Sequence, residues 1–222
     1  MKRVTLFTGH YGSGKTNIAV NYALALSKEG HKTLIADLDI VNPYFRTRDS
    51  EDALKEADVD IVVSSYANTN VDVPALPEEM YRIIDDKETR AVVDVGGDDR
   101  GALALGRLAP ELMKENDYEM VFVMNFFRPL TQTPDQIIRV IREVEIASGM
   151  TVTALINNSN LGQQTESADI IKTDALSRAV CEKTNLPLIG TTVREDLCEG
   201  LKDKVFNPMP IRLHFRDEWA IY

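Results

Sequence analysis

Residues 9–16 of the chain read GHYGSGKT and fit the phosphate-loop pattern G-x-x-x-x-G-K-[ST] at every specified position. The apolar run VTLF at residues 4–7 precedes them, and apolar residues recur on one helical face through residues 18–26. In this order of strand, loop and helix, glycines let the backbone N–H groups point at phosphate oxygens, close to the positive end of the helix dipole. The stretch therefore predicts a site for the phosphates of ATP or GTP.

The residue types of the loop predict separate roles at that site. Lys15 is expected to reach the β- and γ-phosphates, and Thr16 is expected to ligate Mg²⁺. The residues expected to contact the nucleotide in or beside the loop are Gly9, Gly12, Ser13, Gly14, Lys15, Thr16 and Asn17.

Outside the loop, short apolar runs alternate with amphipathic helical segments. The runs lie at residues 33–37, 61–63, 91–95, 120–124, 152–156 and 188–190. Most are apolar on both faces, as is typical of parallel strands covered by helices. We predict an α/β fold, a single P-loop NTPase domain over residues 1–222 with a mostly parallel sheet of about seven strands and helices on both faces. Its C-terminal segment, residues 199–222, is expected to be irregular, with one more extended stretch suggested by Pro208, Pro210 and the run at residues 211–215.

Composition limits the classes of function. The 222 residues are 44% hydrophobic, which suits one core, and the net charge of −10 disfavours a broad surface for nucleic acid or anionic membranes. No stretch approaches the roughly 20 apolar residues of a membrane span, and the N-terminus lacks a signal-peptide pattern. Cys181 and Cys198 have no partners at metal-ligand spacing, which indicates free thiols in a reducing compartment. We therefore expect a cytoplasmic protein that acts neither at a membrane nor on nucleic acid.

Acidic residues follow two of the predicted strands. DLDIVNPYFR occupies residues 37–46, and DVGGDDR occupies residues 94–100. Ligands of a parallel sheet gather at the carboxyl ends of its strands, so these segments are expected to lie beside the phosphate loop. Asp94 has the placement of an acid that completes the Mg²⁺ shell, and the backbone N–H of Gly97 is placed to sense a γ-phosphate. A bound Mg·nucleotide would supply the positive charge that makes such clustered acids tolerable.

Together with the loop, the segments Asp37-Leu38-Asp39, residues 94–97 and Asn157-Asn158 make residues 1–195 resemble the MinD/ParA/ArsA group of P-loop ATPases, within the SIMIBI division. The resemblance implies ATP hydrolysis coupled to homodimerisation, acting as a switch on an unidentified client. It also implies that Asp39 orients or activates the attacking water beside the catalytic Lys15. By the same resemblance Asp37 and Asp94 support Mg²⁺, and Asn157 faces the adenine.

One feature departs from that group, which carries a signature lysine early in the loop where this chain has His10 and Tyr11. Either another cation performs its work, with Arg46, Arg100 and Arg128 as the candidates, or the protein hydrolyses ATP slowly, or its dimer is of another kind. The loop is also similar to that of the nickel-insertion GTPases, but the chain lacks their N-K-x-D guanine motif, which favours ATP as the cofactor. A small-molecule enzyme resembling dethiobiotin synthetase, and a metallochaperone-type GTPase, remain the alternative functions.

Overall fold

The computed structural model describes residues 1–38, 48–63, 76–97 and 99–213, without the side chains of residues 48, 49, 99 and 100. Eight strands lie within these ranges. They are β1 (Val4–Thr8), β2 (Thr33–Asp37), β3 (Val59–Val63), β4 (Arg90–Asp94), β5 (Tyr118–Met124), β6 (Ala154–Asn157), β7 (Leu188–Arg194) and β8 (Pro208–Ile211).

Helices occupy most of the connections between these strands. The α-helices are α1 (Lys15–Lys28), α2 (Arg48–Glu56), α3 (Arg82–Asp85), α4 (Asp99–Glu115), α5 (Pro134–Ser148), α6 (Ser167–Thr184) and α7 (Glu195–Leu201). Short 3₁₀ helices at Glu78–Tyr81 and Gly162–Gln164 precede α3 and α6. Across the described ranges, we find no helix with the length and apolar character that a membrane crossing requires.

The strands form one sheet in the order β3-β2-β4-β1-β5-β6-β7-β8, and every strand pairing described in it is parallel. β1 therefore lies inside the sheet, between β4 and β5. The chain first fills the β4 side of β1 and then crosses to its β5 side. This reversal of strand order makes the carboxyl end of β1 a topological switch point, where ligands of open parallel sheets bind.

The α/β class and the seven predicted strands are confirmed, and the strand count is corrected from about seven to eight. The eighth strand, β8, lies at the start of the extended stretch expected from Pro208, Pro210 and residues 211–215. It contains Pro208 and Pro210, which a strand tolerates at the edge of a sheet because proline cannot donate a ladder hydrogen bond. The segment before β8 contains α7, a helix that the sequence did not predict.

Two hydrophobic clusters cover the two faces of the sheet. One contains Leu6 of β1 with residues of α4, α5 and α6, such as Leu105 and Val180. The other contains Phe7 of β1 with α1 and α2, including Ile18 and Leu54. Successive residues of β1 thus point to opposite layers, and all five residues of the strand are buried. Burial on both faces fixes the strand that presents the phosphate loop.

Candidate nucleotide site

The phosphate loop joins the end of β1 to the start of α1. Gly9 follows β1 directly, and Gly14 is the N-cap of α1 with a left-handed φ of 87°. A Cβ at Gly14 would be strained by that backbone, and it would also lie 2.3 Å from the side-chain nitrogen of Asn158. Because α1 begins at Lys15, the positive end of its dipole lies at the loop. The loop therefore has the backbone course that a phosphate cradle requires.

Lys15 places a largely buried cation at this loop. The residue is 7% exposed, and its Nζ lies 3.4 Å from the carbonyl oxygen of His10. Gly97 approaches from the segment after β4, so closely that a Cβ there would lie 2.8 Å from both Lys15 Nζ and the backbone nitrogen of Tyr11. Burial, and next the positive charge of Lys15, lower the pKa of His10. His10 therefore carries less positive charge near neutral pH than an exposed histidine would.

Thr16 and two strand-end acids form the second part of the site. Asp37 ends β2 and Asp94 ends β4, and the two residues are register partners on adjacent strands. Each acid is 1% exposed, and Thr16 Oγ1 donates a hydrogen bond to Asp94 Oδ2 at 2.5 Å. Two carboxylates buried as neighbours repel each other, so a cation at this position would lower their electrostatic energy.

These oxygen atoms fit Mg²⁺, which proteins bind through one or two carboxylates together with substrate phosphates. Among the described residues, no group of three or more His, Cys, Asp or Glu side chains is arranged to hold a metal ion. The hydroxyl of Thr16 and the carboxylates of Asp37 and Asp94 are the donors that this site offers to such a metal.

Two consecutive asparagines at the end of β6 have different surroundings. Asn157 is 0% exposed, donates to Thr173 Oγ1 at 3.3 Å and accepts hydrogen bonds from the backbone and hydroxyl of Ser159. Asn158 instead donates from Nδ2 to the carbonyl oxygen of Ser13 at 2.7 Å and accepts a hydrogen bond from Thr192. Asn158 is therefore the asparagine whose side-chain amide reaches the phosphate loop. The amide of Asn157, which was expected to face the adenine, forms hydrogen bonds with Thr173 and Ser159. The doubled asparagine was the only sequence signal for Asn158.

A small cleft opens beside Asn158 at the carboxyl ends of β6 and β7. Ser159, Asn160, Thr192, Arg194 and Ile211 are among the residues that line it. Arg194 is held there by a hydrogen bond to the carbonyl oxygen of Gln163 at 2.8 Å and by an ion pair with Asp196. The lining combines the apolar Ile211 with several polar groups.

On the other side of the loop, Arg128 contacts Gly12. Its Nε donates a hydrogen bond to the carbonyl oxygen of Gly12 at 2.8 Å. Of the three arginines expected as candidate cations, Arg46 and the side chain of Arg100 lie outside the described residues. Arg128 is the one that the structure places against the phosphate loop.

The other predicted site residues lie as follows. Ser13 and Asn17 are 2% and 8% exposed. The hydroxyl of Ser13 has no hydrogen-bond partner within the described part of the chain. Asp39, the predicted water-orienting acid, lies outside the described residues. The structure thus brings Lys15, Thr16, Asp37, Asp94 and Gly97 to one end of the sheet, around the loop.

A family model for the CobQ/CobB/MinD/ParA nucleotide-binding domain matches residues 4–210. The chain belongs to this family. The resemblance to the MinD/ParA group is thereby confirmed, and the protein is a P-loop nucleotide-binding domain. No curated protein sequence matches the chain.

Solved structures with a similar fold include two of the protein FtsY. FtsY from Thermotoga maritima is 14% identical, with a TM-score of 0.60 over 86% of this chain and 61% of that chain. FtsY from Mycoplasma mycoides is 17% identical, with a TM-score of 0.56 over 87% of this chain and 61% of that chain. FlhF complexed with GTP and Mg²⁺ is 12% identical, with a TM-score of 0.55 over 86% of this chain and 66% of that chain. At these identities the likeness shows the fold alone, and this chain spans only about three fifths of each FtsY chain, 61%.

Proposed function

We propose that this protein is a Mg·ATP-dependent P-loop ATPase that works as a nucleotide-controlled switch and forms a homodimer around its nucleotides. The observation that carries the proposal is the hydrogen bond from Thr16 to Asp94, with Asp37 beside it in register. This contact joins the loop that would hold the phosphates to the acids that would hold the metal. In Mg·nucleotide binding, two acids buried next to a phosphate loop would attract the Mg²⁺ that accompanies the phosphates.

The chemistry assigned to the site is hydrolysis of the terminal phosphate. Lys15 would bind the β- and γ-phosphates, and Thr16 with Asp37 and Asp94 would hold Mg²⁺, which when bound neutralises phosphate charge. Asp39 is proposed to orient the attacking water. The water oxygen bonds to the γ-phosphorus, and the bond from that phosphorus to the β–γ bridging oxygen breaks. The products are ADP, inorganic phosphate and a proton.

The proposed preference for ATP over GTP rests on the residues that would surround the nucleotide base. The ends of β5 and β6 continue as NFFR at residues 125–128 and NNSN at residues 157–160, and neither carries the aspartate of an N-K-x-D motif. The competing base is guanine, because two structures of similar fold were determined with GDP or with GTP and Mg²⁺. The cleft beside Asn158 is the proposed position of the base.

Calorimetric titration with ATP and with GTP, with and without Mg²⁺, tests the binding proposal. We expect tighter binding of Mg·ATP, and we expect Lys15→Ala to weaken it about 10- to 150-fold because a charged hydrogen bond to phosphate is lost. Lys28→Ala is the matched control, since Lys28 is an exposed lysine in the last turn of the same helix. Equal or stronger binding of GTP would overturn the choice of base, and wild-type affinity in Lys15→Ala would place the phosphate site elsewhere.

The switch proposal needs a separate kinetic test. If the protein hydrolyses ATP as a homodimer, turnover per chain rises with protein concentration until dimerisation is complete. Turnover that stays constant with concentration, and increases when a metabolite is added, would instead support a small-molecule enzyme that uses the same phosphate site.

A further inference from the structure

Arg128 approaches the phosphate loop with both its guanidinium group and its aliphatic stem. Besides the bond from Nε to the Gly12 carbonyl oxygen, its Nε and Cδ lie 3.5 and 3.6 Å from the position that a Cβ of Gly12 would take. A Cβ at Gly12 would thus be in ordinary van der Waals contact with the stem of Arg128, which passes beside the loop. The guanidinium is consequently held against the middle of the loop.

The backbone of Arg128 is held in a hydrogen-bonded turn that begins at Asn125. The N–H of Arg128 donates to the carbonyl oxygen of Asn125 at 3.4 Å, and its own carbonyl oxygen accepts from the N–H of Thr131 at 3.3 Å. The hydroxyl of Thr131, a residue only 2% exposed, closes the turn by donating to Asn125 at 2.7 Å. Because the turn fixes the start of the side chain, Arg128 loses less conformational entropy when it makes a further contact.

Most hydrogen-bond donors of the Arg128 guanidinium are unused within the described residues. Within the described residues, the two terminal NH₂ groups of Arg128 make no hydrogen bond, and its charge has no carboxylate partner. Other arginines of the protein do have such partners, namely Arg3, Arg82, Arg178, Arg194 and Arg212. An arginine offers five N–H donors in a planar fork that matches phosphate oxygens, and here one donor is used on the loop.

Two cations thus border the same short loop. Lys15 Nζ lies 3.4 Å from the carbonyl oxygen of His10, and Arg128 Nε lies 2.8 Å from that of Gly12, two residues further on. Like charges at such a loop repel each other, and an anion bound in the loop would remove that repulsion.

We propose that Arg128 is a second phosphate-binding cation of this site and acts on the nucleotide of its own chain. Its Nε supports the loop at Gly12, while its terminal NH₂ groups bind the phosphate chain of a nucleoside triphosphate. This inference rests on the proposed nucleotide function and adds to it a residue outside the loop pattern. A triphosphate carries more negative charge than a diphosphate, so Arg128 favours the triphosphate.

The test compares Arg128→Gln and Arg128→Lys with the wild-type protein. Calorimetry gives the affinities for ATP and ADP, and for GTP and GDP in parallel, so that the result does not depend on the base. We expect Arg128→Gln to weaken triphosphate binding by about tenfold or more and diphosphate binding by less than about threefold. Arg128→Lys keeps the charge but cannot make the loop contact and the phosphate contact together, so it should recover only part of the lost triphosphate affinity. Arg139→Gln removes the same charge from an exposed position of α5 and should change neither affinity.

Equal losses for diphosphate and triphosphate would show that Arg128 only supports the loop, and unchanged affinities would show that it has no role in binding. Either result overturns this inference and leaves the nucleotide site standing. If the wild-type protein binds none of the four nucleotides, the proposed function fails, and this inference fails with it. The melting temperature of each variant is measured without nucleotide. If Arg128→Gln melts far below the wild type, the ratio of triphosphate to diphosphate affinity in Arg128→Lys decides whether Arg128 binds the phosphate chain.

Discussion

Gly97→Ala should weaken nucleotide binding without unfolding the protein. Gly97 lies in the segment after β4, where the backbone passes close to the phosphate loop. A Cβ at this residue would lie 2.8 Å from the backbone nitrogen of Tyr11 and 2.9 Å from its Cα, and 2.8 Å from Lys15 Nζ. Real Cβ atoms hardly ever approach heavy atoms so closely, so something must move.

The flexible end of Lys15 can move at little cost, but the backbone of Tyr11 belongs to the loop that would hold the phosphates. Overpacking by one methyl group in a fitted site costs roughly 1–3 kcal/mol. Tyr11 is 57% exposed, so the loop can relieve this strain in the free protein by shifting outward. A nucleotide that requires the loop in its cradle conformation must then overcome this strain energy when it binds. The expected loss of nucleotide affinity is about 5- to 150-fold.

Titration calorimetry on Gly97→Ala measures the nucleotide affinity, and thermal melting of the same sample measures the stability of the fold. The matched control is Gly200→Ala, because a Cβ at this helical glycine of α7 meets no atom within 4 Å. The control should bind nucleotide as the wild type does and melt at the same or a higher temperature. Wild-type affinity in Gly97→Ala would refute the reasoning, and so would a large fall in melting temperature with no loss of affinity.

Four further outcomes are expected. Asp94→Asn should reduce the gain in nucleotide affinity that Mg²⁺ provides, as measured by titration with and without the metal. Asp39→Asn should slow ATP hydrolysis at least about tenfold and change affinity by less than about threefold, because a group that only orients or deprotonates water acts in the transition state; hydrolysis at the wild-type rate would remove Asp39 from its role. Asn158→Ala should weaken nucleotide binding, since it removes the 2.7 Å hydrogen bond to the loop carbonyl, and unchanged affinity would show that the loop holds its shape alone. Hydrogen bonds from Arg3 lower the pKa of Glu115 from its ordinary 4.5 to about 2, although burial acts in the opposite direction. Its contribution to stability is therefore complete above about pH 4.5 and is lost as pH falls towards 2. Urea titration should show Glu115→Gln destabilised by about 1–2 kcal/mol at pH 7, after allowance for solvent screening, and a much smaller difference near pH 2.

The features that the sequence predicted correctly are those encoded by neighbouring residues. The apolar runs of the central strands β1, β2 and β4 are buried on both faces, so their hydrophobicity is continuous and visible in the chain. The start of α5 was equally visible, because Thr133 and Gln136 have capping-box spacing around a proline, and both capping hydrogen bonds are present. The strand, loop and helix around Lys15 belong to the same class of local signal.

The contacts that were missed join distant parts of the chain, although Asn158 and Arg128 themselves were both named from the sequence. Asn158 meets Ser13 across 145 residues, and Arg128 meets Gly12 across 116 residues. No spacing rule connects such residues, because only the strand order brings the ends of β5 and β6 beside the end of β1. The helix α7 was missed for another reason: it has seven residues, and Leu201 is the one buried among them, so it shows no apolar stripe.

The strand order also separates two kinds of residue on either side of the phosphate loop. β4 and β2 follow on one side of β1, and they end in Asp94 and Asp37. β5 and β6 follow on the other side, and the segments after them supply Arg128 and Asn158, which bind loop carbonyl oxygens. Acids on the first side suit a metal and the attacking water, whereas donors on the second side suit the loop itself and the anion it holds. Substitution of the acids Asp94 and Asp37 should therefore alter metal dependence and turnover, and substitution of Arg128 or Asn158 should alter nucleotide affinity. A residue of the loop itself, such as Lys15, should affect both.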